Sequence, residues 1–262
     1  MRLASLVLLV VLPPLAAIAA AAQPLVALDI GHSLASPGAI GAYGRAELEF
    51  NVDLADDIQT LLTSNGHRSI LIGRDGSMDH LSRRTSLARR AGATFLLSIH
   101  HDSAQPQFLS TWQWQGSEQR YTDQISGYSL FVSRKNPFPA ASLRCAHSIG
   151  AAMHAAGLHA TPHHAAKIAG EFKQWADRDA GVYYYDDLVV LKTATMPTVL
   201  LEAGVILNRD DEPELRSIAM RNRIGAAVAD GLARCGALTE AGSSTGAPGN
   251  IHQSVTPPAD GR

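Results

Sequence analysis

Cysteine and net charge are scarce in this chain of 262 residues. Its 22 Lys and Arg are nearly matched by 24 Asp and Glu, for a net charge of −2, and no basic stripe stands out. A nucleic-acid surface is therefore not expected. The Gly-x-Ser-x-Gly match at 242–246, "GSSTG", lies in the Gly-, Ser- and Thr-rich end of the sequence with no apolar strand pattern before it, so it does not read as the strained serine turn of an α/β-hydrolase. One of the two cysteines, Cys145, sits in an alanine-rich helical pattern with no base beside it, which argues against a cysteine nucleophile. There is no internal repeat.

Long apolar runs are absent except at the start, "MRLASLVLLVVLPPLAAIAAAA" (1–22), where one early Arg precedes an apolar stretch broken by Pro13 and Pro14 and then a run of alanines. This order predicts a secretory signal peptide cleaved near Ala22, too short and too poorly flanked for a stable membrane span. The mature chain is expected to be exported and to carry no span. At the other end, residues 237–262 are rich in Gly, Ser, Thr and Pro with scarcely any apolar periodicity. Such a segment cannot bury enough surface to offset its ordering entropy, so a disordered tail is expected there. A single folded domain is left, over 24–236. Export permits oxidation, and Cys145 and Cys235 each lie in a helical pattern. A disulfide between two helices and a pair of buried thiols both remain open.

Within that domain, apolar runs occur at 24–30, 68–72, 94–99, 128–133, 188–191 and 198–203, most of them continuous rather than alternating. Continuous runs predict strands covered on both faces. Helical periodicity separates them, most clearly in "ELEFNVDLADDIQTLLTSNG". There Leu48, Val52, Ala55, Ile58 and Leu62 share a face, acidic residues crowd the first turns, and Asn65-Gly66 makes a stop. Further helices are predicted at 81–93, 140–158 and 211–234. The alternation predicts an α/β fold, a single domain with a twisted, largely parallel sheet of about six strands flanked by helices. Two insertions interrupt it, 103–126 with Trp112 and Trp114, and 159–187 with His163, His164 and Glu171. Long loops in compact domains commonly rim a site.

Sites in open α/β sheets form at the carboxyl ends of strands. The first strand runs into Gly31-His32, the third into His100-His101-Asp102, and the last carries Glu202, while Glu47 opens the helix after the first strand. If these strands are parallel, His32, Glu47, His100 and Glu202 converge. Two neutral imidazoles and one carboxylate leave the fourth position of a tetrahedral Zn²⁺ open, as hydrolytic sites require, and another carboxylate beside them can carry protons. Taken singly, His32 and His100 read as turn residues and Glu47 as a helix N-terminal acid. Glu202 is the exception, because a carboxylate ending a buried strand is costly unless paired or functional. His101 neighbours His100 on a strand and points the other way, so it is expected at the rim or in support of a ligand.

The segments "LDIGH", "PGAIGAYGRAELEFNVDLA", "RDGSMDHLSRR", "LLSIHHDS" and "MPTVLLEAGVILNRDDE" together resemble the zinc-dependent N-acetylmuramoyl-L-alanine amidases. The resemblance implies a zinc amidase catalytic domain that hydrolyses the amide between N-acetylmuramic acid and L-alanine in peptidoglycan during cell-wall remodelling and daughter-cell separation. The expected location is the periplasm or cell wall. It implies Zn²⁺ on His32, Glu47 and His100, and Glu202 as the catalytic carboxylate. Two departures stand out: Asp29-Ile30-Gly31-His32-Ser33-Leu34 where the family commonly has Asp-Pro-Gly-His-Gly-Gly, and Asp102 where an Asn usually stands. Some members carry an inserted segment that blocks the site until a partner removes it. Such an inhibitory lid is one reading of 159–187, implying an activator protein, and a surface loop is the other. Alternatives to the amidase reading are a zinc peptidase or deacetylase acting on another amide, and a peptidoglycan-binding module without activity.

The remaining histidines, His67, His80, His147, His154, His159 and His252, show no partner spacing. Trp112, Trp114 and Tyr183-Tyr184-Tyr185 read either as platforms for sugar or peptide or as packing. Arg83, Arg84, Arg89 and Arg90 read most simply as the solvated face of a helix.

Overall fold

Strand β1 (Leu25–Ile30) is buried over its whole length, as its unbroken apolar run requires. In a computed structural model of the chain, which describes residues 23–239, it lies inside a seven-stranded sheet. The expected signal peptide and the tail from residue 240 onward lie outside the described residues. The other strands of the sheet are β2 (Arg68–Ile72), β3 (Phe95–Asp102), β6 (Ser129–Val132), β7 (Trp175–Asp177), β8 (Val182–Tyr184) and β9 (Thr198–Val205). Their order is β2-β1-β3-β9-β6-β8-β7. The first four run parallel, β6 turns antiparallel to β9, β8 follows β6 in parallel, and β7 closes the edge antiparallel to β8.

Helices α1 (Glu47–Ser64), α3 (Pro139–Ala155) and α6 (Ile218–Arg234) cover one face of the sheet, and α2 (Leu81–Arg90) and α4 (Val189–Thr193) cover the other. The period-2 pleat divides β1 between them: Val26, Leu28 and Ile30 enter the large core, Ala27 the smaller one. Each large side chain buried this way, Leu54, Ile58 and Leu62 of α1 among them, is worth roughly 1.5–3 kcal/mol. The first turn of α1 has no side-chain cap. Glu47 and Leu48 instead donate their N–H groups to the carbonyls of Ala39 and Pro37, which ties the helix start to the loop returning from β1.

Three expectations need correction. The run at 188–191 is not a strand but the start of α4, with Val190 and Leu191 buried in different clusters. A short apolar run has too few residues for its period to separate a strand from one buried helical turn. The helix expected over 211–234 is two, α5 (Asp211–Arg216) and α6. Ser217 breaks the run in an extended conformation, and its hydroxyl accepts the N–H of Met220 at 3.1 Å as a cap. The insertions are not wholly irregular: 103–126 contains a hairpin of β4 (Ser110–Trp114) and β5 (Ser117–Tyr121), and 159–187 contains β7 and β8. Gln115 and Gly116 turn the hairpin at φ 48° and 79°, the left-handed pair that matches strand twist.

Cys145 of α3 and Cys235, just beyond α6, form a disulfide with their Cα atoms 5.0 Å apart. Ala237 and Leu238 still pack on the core beyond it. Among the described residues, no helix is long and apolar enough to cross a membrane.

Candidate metal centre

The parallel strands deliver the sequence-predicted residues to one edge. Gly31 continues β1, donating its N–H to the carbonyl of Ile99 at 3.0 Å, and the ring of His100 occupies the space a side chain there would fill. His32 follows in the left-handed region at φ 71°, which turns its ring towards the start of α1. Glu47 lies between the two imidazoles, with Oε2 2.9 Å from His32 Nε2 and Oε1 3.0 Å from His100 Nδ1. One donor atom from each of His32, Glu47 and His100 falls within 4.8 Å of the others. A buried carboxylate and two imidazoles fit a divalent transition metal. Burial pushes the Glu47 carboxyl up, but hydrogen bonds and charge from His100 and His32 overcome it and hold the group well below the usual carboxylate range. For His32, burial opposes the charged form and Glu47 outweighs it, a net rise.

Glu202 is the register partner of His100 on the neighbouring strand. Its Oε2 is buried without a hydrogen-bond partner, an unusual state for a carboxylate. Burial first, then the charges of Asp102 and Glu47, raise its pKa well above the ordinary value. The four residues line a cleft of about 460 Å³, together with Gly38, Ala39, Leu109, Arg120 and Leu207. No residue of 159–187 is among those lining it.

Other groups hold this arrangement from behind. Asn51, one turn after Glu47, donates to Glu47 Oε1 and to the carbonyl of Gly31, both at 3.3 Å. His101 is buried, with Nδ1 2.8 Å from Asn51 Oδ1 and its own N–H donated to Glu47 Oε1, so it supports Glu47. Burial pushes its pKa down to about 3, so the ring is neutral.

Arg84 is the correction of most consequence. It is not part of a solvated face: it is 1 % exposed, with Nη1 2.9 Å from Asp29 Oδ1, and it donates to the carbonyls of Ile30, His32 and Met78. Asp29 is completed by the Ser98 hydroxyl at 2.8 Å. Sequence reasoning missed both Asn51 and Arg84. For Asn51 the spacing from Glu47 was a signal, whereas Arg84 is indistinguishable in pattern from its exposed neighbours.

The Ser33 departure also has a local role. Buried Ser33 exchanges backbone hydrogen bonds with Ser36 and accepts the Ser36 N–H on its hydroxyl at 3.2 Å, closing the turn. Leu34 stays exposed.

His163 and His164 do not reach the metal centre. Both are buried beside Asp102, with His164 also 2.9 Å from Glu171. Burial opposes a charge on His164, but Asp102 and Glu171 raise its pKa to about 9. Trp112 and Trp114 stack on each other with Tyr43 edge-on to both, and Trp112 donates its indole N–H to the Ala42 carbonyl at 2.9 Å, which fixes the hairpin to the domain. Tyr183 is packing too, buried between Trp175 and Phe131.

The chain resembles known proteins along nearly all of this domain. The N-acetylmuramoyl-L-alanine amidase (Amidase_3) family profile matches residues 26–234. The probable amidase AmiB of Haemophilus influenzae is 26% identical over 233 residues, covering 81% of this chain and 52% of that protein. The amidase LytC of Bacillus subtilis is 28% identical over 212 residues, covering 78% and 34%. The chain thus spans about half or less of the length of these two relatives. Among solved structures, the catalytic domain of the amidase CwlV from Bacillus (Paenibacillus) polymyxa var. colistinus superimposes with a TM-score of 0.62 at 24% identity, covering 83% of this chain and 100% of that one. Ami1 of Mycobacterium smegmatis gives a TM-score of 0.62 at 20% identity, covering 81% and 96%, so with both the fold is shared. From the match of its whole folded domain, this chain belongs to the N-acetylmuramoyl-L-alanine amidase family.

Proposed function

We propose that this protein is an exported, zinc-dependent hydrolase that acts in the periplasm or cell wall. It cuts the amide between the lactyl group of N-acetylmuramic acid and L-alanine in peptidoglycan. The observation that carries this reading is the convergence of His32, Glu47 and His100 at one sheet edge with Glu202 opposite His100 in register. His32, Glu47 and His100 would hold the zinc, which when bound supplies Lewis acidity towards the scissile carbonyl and makes hydroxide accessible near neutral pH.

The residues of the chain do the rest. Glu47, kept ionised by its two imidazole partners, supplies the negative charge that a divalent cation requires. Asn51 and the His101 N–H pin its carboxylate, so that little reorganisation is needed when the site loads. Glu202 faces the same cleft with an oxygen no other group occupies. That oxygen takes the proton of the attacking water and returns it to the departing alanine nitrogen, a transfer worth typically about 10²–10⁴-fold in rate. Burial and the neighbouring carboxylates of Asp102 and Glu47 favour the protonated form of Glu202, and positive charge held by His32, Glu47 and His100 would offset them. Arg120 at the cleft wall is placed to meet an anionic group of the stem peptide.

Mass spectrometry of purified sacculi digested by the mature chain tests the reading. Release of intact stem peptides with a free alanine amine, abolished in Glu202→Ala, is the expected result. Cleavage within the stem peptide or of an acetyl group would replace it with the peptidase or deacetylase reading, and binding without products with the module lacking activity.

A further inference from the structure

The 159–187 segment buries two adjacent histidines against one carboxylate, Asp102, which also lines the catalytic cleft. Asp102 Oδ2 lies 3.5 Å from His163 Nε2 and 2.7 Å from His164 Nε2. A donor atom from each of the three residues falls within 4.8 Å of the others. Neighbouring ligands of a tetrahedral zinc sit roughly 3.3 Å apart, given bonds of about 2.0–2.1 Å.

The outer atoms of these side chains are tied in the way metal ligands are. His163 Nδ1 is 2.9 Å from the Thr161 hydroxyl, and His164 Nδ1 is 2.9 Å from Glu171 Oε2. Glu171 is itself held by Gln105 at 2.7 Å and Lys173 at 3.0 Å. Asp102 Oδ1 accepts the Ser103 N–H at 2.8 Å, which leaves Oδ2 for the histidines. With both Nδ1 atoms engaged, both Nε2 atoms face the same oxygen. A carboxylate or hydroxyl on the far nitrogen orients a ligating imidazole and raises its basicity.

We propose that Asp102, His163 and His164 form a second divalent-metal site of the zinc class, which pins the 159–187 segment to the end of β3. Two imidazoles and a carboxylate select zinc and its neighbours over calcium or magnesium. The site is separate from the catalytic one, its ligands arriving from a different segment, though both draw on β3. In this arrangement 159–187 is cross-linked to the end of β3, and zinc controls how firmly that segment is held.

The test is stoichiometry. Mature full-length protein stripped with a chelator is titrated with zinc alone, by calorimetry and by elemental analysis after desalting. Wild type should bind two equivalents, Glu47→Ala and His163→Ala one each, and the double variant none. Asp102→Asn, which keeps the shape of the side chain, should also bind one, and it serves if His163→Ala fails to fold as judged by circular dichroism. Anomalous scattering at the zinc edge should place a peak among Asp102, His163 and His164. One equivalent in wild type that disappears in Glu47→Ala overturns the proposal, as does a second equivalent that survives both His163→Ala and Asp102→Asn. One equivalent that survives Glu47→Ala but is lost in Asp102→Asn supports this site and removes the reading of the catalytic one.

Discussion

Arg84 holds His32 by its backbone: the guanidinium donates to the His32 carbonyl while paired 2.9 Å from buried Asp29. His32 sits at φ 71°, so its left-handed turn depends on groups that secure its carbonyl. Lysine cannot reproduce the fork that spans Asp29 and several carbonyls. Arg84→Lys is expected to weaken zinc binding about 10–100-fold, as loss of groups that orient ligands does. Isothermal titration with zinc measures this, and unchanged affinity would remove Arg84 from the site.

Glu202→Gln keeps the shape of the side chain and removes its charge. Zinc content should equal wild type, and turnover on sacculi should fall about 10²–10⁴-fold. A parallel loss of zinc would make Glu202 a ligand instead of a proton carrier.

Two glycines on the same molecule should respond in opposite senses to one methyl group. A Cβ at Gly31 would lie 2.3 Å from the His100 ring, so Gly31→Ala should displace His100 and abolish zinc binding at the His32, Glu47 and His100 site. At Gly225, inside α6, a Cβ meets Ile58 at 3.6 Å, ordinary contact, so Gly225→Ala should stabilise the fold by up to about 1 kcal/mol. Thermal denaturation and zinc titration on the two variants separate these effects.

The Cys145–Cys235 disulfide closes a loop across 90 positions. Its removal in Cys145→Ser/Cys235→Ser should cost about 2–4 kcal/mol, chiefly by freeing the unfolded chain. Urea unfolding measures the loss, and zinc stoichiometry should not change, because α3 and the end of α6 lie away from the cleft.

Acid should weaken the metal-free protein partly through Glu171. Burial pushes this carboxyl up, but hydrogen bonds from His164 and Gln105 and the charge of His164 bring it down to about 2 from 4.5. A depressed carboxylate contributes stability that is full above pH 4.5 and is lost as pH falls towards about 2. In the presence of a chelator, Glu171→Gln should flatten the acid limb of a plot of stability against pH in that window. An unchanged slope would show that Glu171 is not coupled to folding.

By itself the sequence determined the strands that carry the site and the identity of the residues at their ends. Continuous apolar runs such as "PLVALDI" admit few structures other than a strand covered on both faces, and residues ending parallel strands share an edge, so His32, His100 and Glu202 were legible together. Glu47 was legible with them, because it opens the helix that follows the first strand and the chain returns it to the same edge. Tertiary structure alone decided what lay in patterns with two readings. The run at 188–191 became a helical turn because its residues serve two clusters at once. Arg84 was drawn into the core among exposed arginines because Asp29 and three carbonyls needed a donor there. His163 and His164 met Asp102 across some sixty positions of chain, a contact set by how the insertion packs on the sheet and not by any local spacing. Periodicity reports which face of an element is buried, but a buried polar side chain is placed by its partners, and those are brought together only when the chain folds.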